Sequence, residues 1–212
     1  MNPALAVLIA YVAGSFPSAY LAGRALKGVD LRTVGSGNLG ATNVYRALGA
    51  GAASAVLLLD AMKGALPVVL LPAVIDGAYR SGANATLWWG LACGVAATAG
   101  HAKPILLLWR GGGKGVATAA GVFGALAPVA LGVALVVFVA TVYRSRLVSL
   151  GSISAALTMP LAVAGTHGAG SPVFAVACLM ALFVVWTHRA NIQRLRAGAE
   201  PRITSLPVGG PR

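Results

Sequence analysis

Most side chains that can do chemistry lie in three short polar segments of an otherwise apolar chain. The first segment, residues 34–49, reads VGSGNLGATNVYRALG. Its glycines let backbone amides turn towards one point, as in an anion-binding nest, and Arg46 adds a fork of charged donors. The glycines and neutral donors are Gly35, Ser36, Gly37, Asn38, Gly40, Thr42 and Asn43. The segment suits a phosphate, although a tight turn between helices and a snorkelling Arg46 would explain the same residues.

The second segment, residues 100–118, reads GHAKPILLLWRGGGKGVAT. Gly112 and Gly113 precede Lys114, Gly115 follows it, and the segment runs into a helix N-terminus, where the dipole favours anions. It is not a Walker A loop, because Gly115 stands where Ser or Thr should follow the lysine. An NTPase is therefore excluded. The simpler alternatives are that Lys114 marks the cytoplasmic side and that His101 ends a helix.

The third segment, residues 186–200, reads WTHRANIQRLRAGAE. His188 and Asn191 are three residues apart and so share a helix face. They suit either the capping of a membrane span or contact with phosphates held by the other two segments. We expect no metal site, because His101, His167 and His188 lie apart in the sequence without clustered carboxylates.

Carboxylates are almost absent from these segments. Only Asp30 and Glu200 lie at their margins, and neither an H-x-x-x-x-D pair nor a G-x-S-x-G elbow is present. We therefore expect a site without a carboxylate base, which suits anionic substrates because a carboxylate would repel them. No cofactor is expected.

The composition is that of an integral membrane protein. Hydrophobic residues make up 58% of the 212 and charged residues only 9%. Sixteen Lys and Arg against four acids suit anionic lipid headgroups or anionic substrates. Nucleic acid is not an expected partner, since the basic residues are scattered between apolar runs. Cys93 and Cys178 lie inside such runs and are expected to be small buried hydrophobic residues.

The basic residues predict the topology. No basic residue precedes the apolar run 3–23, so we expect it to remain as a span rather than be cleaved as a signal peptide. Basic clusters at residues 24–46, 103–114, 144–146 and 189–212 should all be cytoplasmic, which leaves the N-terminus outside. An even number of crossings must then separate each cluster from the next.

The apolar runs can satisfy that parity. Runs 52–75 and 85–100 flank a turn at DGAYRSGAN, and runs 153–165 and 172–186 flank THGAGS. Residues 115–143 are too long for one span, and parity favours a hairpin of two short helices broken at LAP, beside Pro128. One long helix would instead place Arg144 and Arg146 outside.

The predicted fold is one all-α membrane domain, residues 1–212. It has about seven short transmembrane helices, a cytoplasmic C-terminus, three polar loops on the cytoplasmic face and a loose tail at 201–212.

Taken together, the three segments resemble the bacterial acyl-phosphate-dependent glycerol-3-phosphate acyltransferase family, PlsY. The matching stretches are SGNLGATNVYR, GHAKPILLLWRGGGKGVAT and HRANIQRLRAGAE, with GSFPSAYLAGR, LDAMKG and RLVSLGSIS between them, so the resemblance covers essentially the whole chain. Where the family commonly has Phe-Lys before its glycines, this chain has Trp109 and Arg110. Gly111 is a third glycine here, and it replaces or extends the family's glycine stretch. The charge is kept.

The resemblance implies transfer of a fatty acyl group from acyl phosphate to the 1-hydroxyl of glycerol 3-phosphate, giving lysophosphatidic acid and inorganic phosphate. It implies an enzyme of phospholipid biosynthesis in the inner (plasma) membrane, with its site facing the cytoplasm and contact with membrane lipid. The protein is expected to function alone, and contact with the enzymes before and after it in the pathway is a further expectation. The implied catalytic residues are Ser36, Arg46, Lys114, His188 and Asn191. The implied phosphate-binding residues are Gly37, Asn38, Gly40, Thr42, Asn43, Gly112, Gly113, Gly115 and Ser149, with Ser152 as the alternative serine.

Two questions stay open at this point. The rival function is an anion or phosphate-ester transporter, but transporters usually bind near the midplane between internal repeats, and no repeat is evident here. A purely structural membrane protein would leave the phosphate-suited loops unexplained. The base that removes the hydroxyl proton is either His188 or a phosphate of the acyl donor, whose second pKa is near 6. We favour the phosphate.

Overall fold

The computed structural model describes residues 1–75 and 83–203, and every element in these residues is helical. Most of the predicted turn DGAYRSGAN and the tail from residue 204 lie outside the described residues. The helices are α1 (Pro3–Gly14), α2 (Ser18–Lys27), α3 (Ala41–Leu48), α4 (Ala50–Leu70), α5 (Ala83–Ala102), α6 (Val116–Leu126), α7 (Pro128–Ser145), α8 (Val148–His167), α9 (Pro172–Thr187) and α10 (Arg189–Arg196), with short 3-10 turns at Pro72–Val74 and Ile105–Leu107.

Among the described residues, four helical segments are long and apolar enough to cross a membrane. They are Pro3–Lys27, in which α1 and α2 are joined, Ala50–Val74, Pro128–Ser145 and Val148–His167. A fifth is present if α9 and α10, bent by 59°, are counted as one, and α6 is a shorter apolar helix. Leucine and valine side chains on these helices are widely exposed, as expected for surfaces that face lipid.

The predicted break inside residues 115–143 is present. α6 ends at Leu126 and α7 begins at Pro128, with Ala127 between them at φ −149° and ψ 62°. Proline has no backbone N–H and its fixed φ suits the first turn of a helix, so Pro128 favours the start of α7 and removes a hydrogen bond that would continue α6. The single long helix is therefore excluded.

Glycines let α4 pack very closely on α6. A Cβ at Gly64 would lie 2.1 Å from the carbonyl oxygen of Thr118, and one at Gly121 would lie 1.9 Å from that of Ala61. Small residues commonly allow such backbone approach between membrane helices. This contact fixes the start of α6, and with it Lys114, against α4.

Candidate active site

A single cavity of about 700 Å³ receives residues from all three polar segments. Most of its wall is apolar and comes from α6, α7, α8 and α9. The predicted site residues that line it are Ser36, Asn38, Gly40, Thr42, Asn43, Arg46, Lys114, Ser149, His188 and Asn191. Four of the predicted phosphate-binding glycines, Gly37, Gly112, Gly113 and Gly115, do not line it.

Asn43 organises the first segment. Its Nδ2 donates to the carbonyl oxygens of Leu31 and Val34 at 3.1 and 3.0 Å, and its Oδ1 accepts from the N–H of Ser36 at 3.0 Å. Gly35 has φ +62°, and a Cβ there would lie 2.4 Å from Oδ1 of Asn43. The side chain of Asn43 is thus committed to the shape of the loop, while the exposed Ser36 faces the cavity.

The first and second segments are joined through one carbonyl group. Gly112 accepts hydrogen bonds from the N–H of Leu39 at 3.1 Å and from Nδ2 of Asn38 at 3.3 Å. Gly112 and Gly115 have φ of +156° and +80°, in the region that favours glycine. These two glycines and Asn38 therefore set the position of the loop that carries Lys114.

Lys114 links the second segment to the third. Its Nζ donates to Oδ1 of Asn191, and its carbonyl oxygen accepts from the hydroxyl of Thr187 at 3.1 Å. Burial lowers the pKa of Lys114 to about 8; the Glu200 carboxylate opposes this shift, and the cations Arg194 and Arg46 add to it. An anion placed beside this lysine would favour its charged form.

Asn191 is held from its other side by Glu200. Nδ2 of Asn191 donates to Oε1 of Glu200 at 2.6 Å, and Nε of Arg194 donates to Oε2 at 2.7 Å. Gly198, with φ +67°, lies in the turn that follows α10 and brings the chain back towards the site. Lys114, Asn191, Glu200 and Arg194 thus form one continuous chain of polar contacts.

His188 lies between α9 and α10 and is 3% exposed. Its Nδ1 is 2.7 Å from the carbonyl oxygen of Val184, so Nδ1 carries the hydrogen and donates it. Nε2 is then the ring atom left to accept a hydrogen bond. The contact with Val184 fixes both the tautomer and the orientation of the ring.

A family model described as glycerol-3-phosphate acyltransferase matches residues 4–198. The chain belongs to the glycerol-3-phosphate acyltransferase family. It is 47% identical to the glycerol-3-phosphate acyltransferase of Synechococcus sp. (strain CC9902) over 96% of each chain. It is 43% identical to the enzyme of that name from Geobacter sulfurreducens, covering 95% of this chain and 98% of that one.

Solved structures agree with this family membership. The crystal structure of PlsY (YgiH), described as an integral membrane glycerol 3-phosphate acyltransferase in its glycerol 3-phosphate form, matches with a TM-score of 0.84 and 36% identity, covering 95% of this chain and 96% of that one. The lysophosphatidic acid form of PlsY matches with a TM-score of 0.80, 35% identity and 95% coverage of both chains. The resemblance drawn from the motifs, and with it the all-helical integral membrane fold, is confirmed.

The expectation of a site without carboxylates is wrong for this acyltransferase. Glu200 and Asp60 both line the cavity. Each is compensated, Glu200 by Arg194 at 2.7 Å and Asp60 by Lys63 at 2.8 Å. Burial would raise the pKa of Glu200, but Ser149, Asn191 and Arg194 together lower it below its ordinary value. A paired carboxylate adds little net negative charge, so it does not exclude an anionic substrate.

The two candidate serines of the acyltransferase differ in their contacts. Both line the cavity from the first turns of α8. The hydroxyl of Ser152 donates to the carbonyl oxygen of Val148 at 3.0 Å. The buried hydroxyl of Ser149 lies beside the Glu200 carboxylate without a hydrogen bond of good geometry. Ser149 is therefore the serine better able to donate to a ligand.

Within residues 1–75 and 83–203, no group of three or more His, Cys, Asp and Glu side chains gathers where it could hold a metal ion. The polar groups of the described site are cations, amides, hydroxyls, imidazoles and the two paired carboxylates.

Proposed function

We propose that this acyltransferase moves a fatty acyl group from acyl phosphate to the 1-hydroxyl of glycerol 3-phosphate, releasing lysophosphatidic acid and inorganic phosphate. The observation that carries the proposal is the form of the cavity, in which Arg46 and Lys114 line the same apolar space. The related PlsY structures are described as glycerol 3-phosphate and lysophosphatidic acid forms, which supports the acceptor and the product.

Acyl phosphate suits the cavity as the acyl donor. The apolar walls can hold a fatty chain, and the polar end can hold a head group of the size of a phosphate. Two phosphorylated substrates carry nearly two negative charges each at neutral pH and repel each other. The positive charges of Arg46 and Lys114 offset that repulsion. A site with two cations therefore suits two phosphates better than one.

The proposed catalytic residues act by direct contact or through a neighbour. Ser36, Thr42 and Arg46 contact phosphate from the first segment, Lys114 from the second and Ser149 from α8. Asn191 orients Lys114. The backbone of Gly37, Gly40, Gly112, Gly113 and Gly115 shapes the two glycine loops, which Asn38 and Asn43 hold in place.

The proton of the attacking hydroxyl is proposed to pass to a phosphate oxygen of the acyl donor, which leaves as inorganic phosphate. His188, through Nε2, would hold a phosphate or glycerol hydroxyl in place. His188→Gln keeps a polar side chain but removes the titratable ring. A side chain that acts as general base contributes ~100-fold to 10,000-fold to the rate. Because His188 is proposed not to be the base, we expect its replacement to lower kcat by about tenfold at most and to leave the pH dependence of kcat unchanged.

The measurement for His188→Gln is the pH profile of kcat for the purified variant beside the unsubstituted protein. Loss of turnover to the uncatalysed level, with glycerol 3-phosphate still bound, would assign the base to His188 instead.

The pH dependence of kcat/KM should show a loss at alkaline pH. Lys114 binds phosphate in its charged form, so affinity is full below its pKa of about 8 and falls as the pH rises through that value. Arginine stays charged throughout this range. We therefore expect Lys114→Arg to move the alkaline limb to higher pH, and an unmoved limb would show that another group titrates.

The proposed topology has seven crossings, made by α1 with α2, α4, α5, α6, α7, α8 and α9. Its N-terminus is outside and its site faces the cytoplasm across the plasma membrane. The parity of the basic clusters and the break at Ala127 support this arrangement.

Cysteine labelling tests the topology, because Val129 at the start of α7 is 66% exposed and Leu108 beside the glycine loop is 69% exposed. In a Cys93→Ala, Cys178→Ala background, Val129→Cys in intact cells should react with a membrane-impermeant thiol reagent. Leu108→Cys should react only after the cells are opened. Reaction of both from the same side would exclude the hairpin of two crossing helices.

Reconstituted liposomes separate the enzyme from the rival transporter. With palmitoyl phosphate and labelled glycerol 3-phosphate, the enzyme forms labelled lysophosphatidic acid. Uptake of glycerol 3-phosphate without that product would support the transporter.

A further inference from the structure

A buried ionic cluster lies beneath the glycine loop and has no part in the proposed chemistry. Asp60 on α4 is 1% exposed and pairs with Lys63, whose Nζ lies 2.8 Å from Oδ1. Ser18 donates to the same oxygen at 2.5 Å, and Lys63 also donates to the carbonyl oxygen of Phe16 at 3.0 Å. The cluster therefore ties the break between α1 and α2 to the middle of α4.

His101, at the end of α5, extends this cluster towards the glycine loop. Its Nδ1 lies 3.7 Å from Oδ1 of Asp60, and no described group hydrogen-bonds to that nitrogen. The ring is 6% exposed, and its backbone carbonyl accepts the N–H of Gly113 at 3.1 Å. The residue thus contacts the loop through its backbone and faces the cluster through its ring.

The ring of His101 also explains why residue 113 is glycine. Gly112 and Gly115 have positive φ values, whereas Gly113 does not, so its backbone conformation is open to alanine. A Cβ at Gly113, however, would lie 1.8 Å from Nε2 of His101. The imidazole occupies the space of a side chain at residue 113, and Lys114 is the next residue.

We propose that His101 is a positioning residue for Lys114: its ring supports the Gly113 backbone, and Asp60, fixed by Ser18 and Lys63, orients the ring. The support is buried on α4 and α5 at the wall of the cavity, beside the Gly113 backbone. The cluster also balances charge. Lys63 compensates the negative charge of the Asp60 carboxylate, which lies close to a site for anions.

The inference rests on the proposed acyl transfer, and its test measures the unsubstituted protein in the same assay. If that protein forms no product, the proposed function fails; if it does, the variants decide the inference.

His101→Phe keeps a ring but loses the polar contact with Asp60, and Asp60→Asn weakens the contact from the other side. Both should lower kcat/KM of the folded protein about tenfold to hundredfold through displacement of Lys114. The thermal midpoint in detergent should stay close to that of the unsubstituted protein for His101→Phe and should fall for Asp60→Asn, which leaves the Lys63 charge without its partner. His167→Phe, at the exposed end of α8, is the matched control and should be unchanged.

A double variant tests the contact itself. Gly113→Ala should lower kcat/KM about hundredfold, because its methyl group meets the His101 ring and displaces the loop. Adding His101→Ala removes that ring, so the double variant should be about tenfold more active than Gly113→Ala alone.

Three results would overturn the proposal: a double variant no more active than Gly113→Ala, full activity of both His101→Phe and Asp60→Asn, or variants whose thermal midpoints fall while kcat and KM of the folded fraction stay unchanged. The last result would indicate a role in stability alone.

Discussion

Replacing Lys114 by alanine is expected to lower kcat/KM by roughly 30-fold to 1000-fold, equivalent to about 2 to 4 kcal/mol. The substitution removes the proposed charge-assisted contact to phosphate from a partly buried position, where water replaces it poorly. It also leaves Oδ1 of Asn191 without its lysine partner. Initial rates of lysophosphatidic acid formation by the purified variant measure the loss.

Lys103 provides the control for Lys114. It is exposed and lies in the same stretch between α5 and α6, so Lys103→Ala makes the same change in net charge. We expect that variant to keep nearly full activity. Equal losses in the two variants would show that overall positive charge matters and that the assigned position does not.

Replacing Arg46 by alanine should cost a similar factor, roughly 30-fold to 1000-fold in kcat/KM. Arg46 lines the cavity on α3, and its Nη2 donates to the carbonyl oxygen of Pro201 at 3.3 Å. That contact is long, so phosphate can compete for the guanidinium.

Arg46→Lys separates charge from geometry. Lysine keeps the charge but not the paired donors, so we expect a partial loss, between those of the unsubstituted protein and Arg46→Ala. Arg144→Ala, at the exposed end of α7, is the matched control. If Arg46→Lys and Arg46→Ala were both as active as the control, Arg46 would not hold a phosphate.

Much of the helical arrangement could be predicted because its causes are local. The break before Pro128 follows from proline geometry, and the apolar runs follow from the need to satisfy backbone groups in lipid. The three polar segments were recognised by residue type and order, and all three contribute to one cavity.

The contacts of Glu200 and Asp60 were not predictable in the same way. Glu200 meets Asn191 nine residues away, across the end of α10, and no helical periodicity indicates such a contact. Asp60 meets His101 only because α4 and α5 pack together. Lys63, the cation beside Asp60, is three residues later on the same helix and could be predicted from that spacing. Arg194 pairs with Glu200 only because the chain turns back after α10.

Asn43 shows a related limit of motif reasoning. Its residue type and place in the glycine-rich segment suit contact with phosphate, but its amide group bonds to the backbone of its own loop. Residues that shape a loop and residues that touch a ligand occur in the same motif, and only the positions of the partner atoms separate them.

The most direct test of the account is the donor requirement of the purified protein in detergent. With palmitoyl phosphate and labelled glycerol 3-phosphate, we expect lysophosphatidic acid and inorganic phosphate to form in equal amounts, and palmitoyl-CoA in place of palmitoyl phosphate to give no product. Product formation from palmitoyl-CoA, without palmitoyl phosphate, would contradict the proposal that the site is built for two phosphates and one acyl chain.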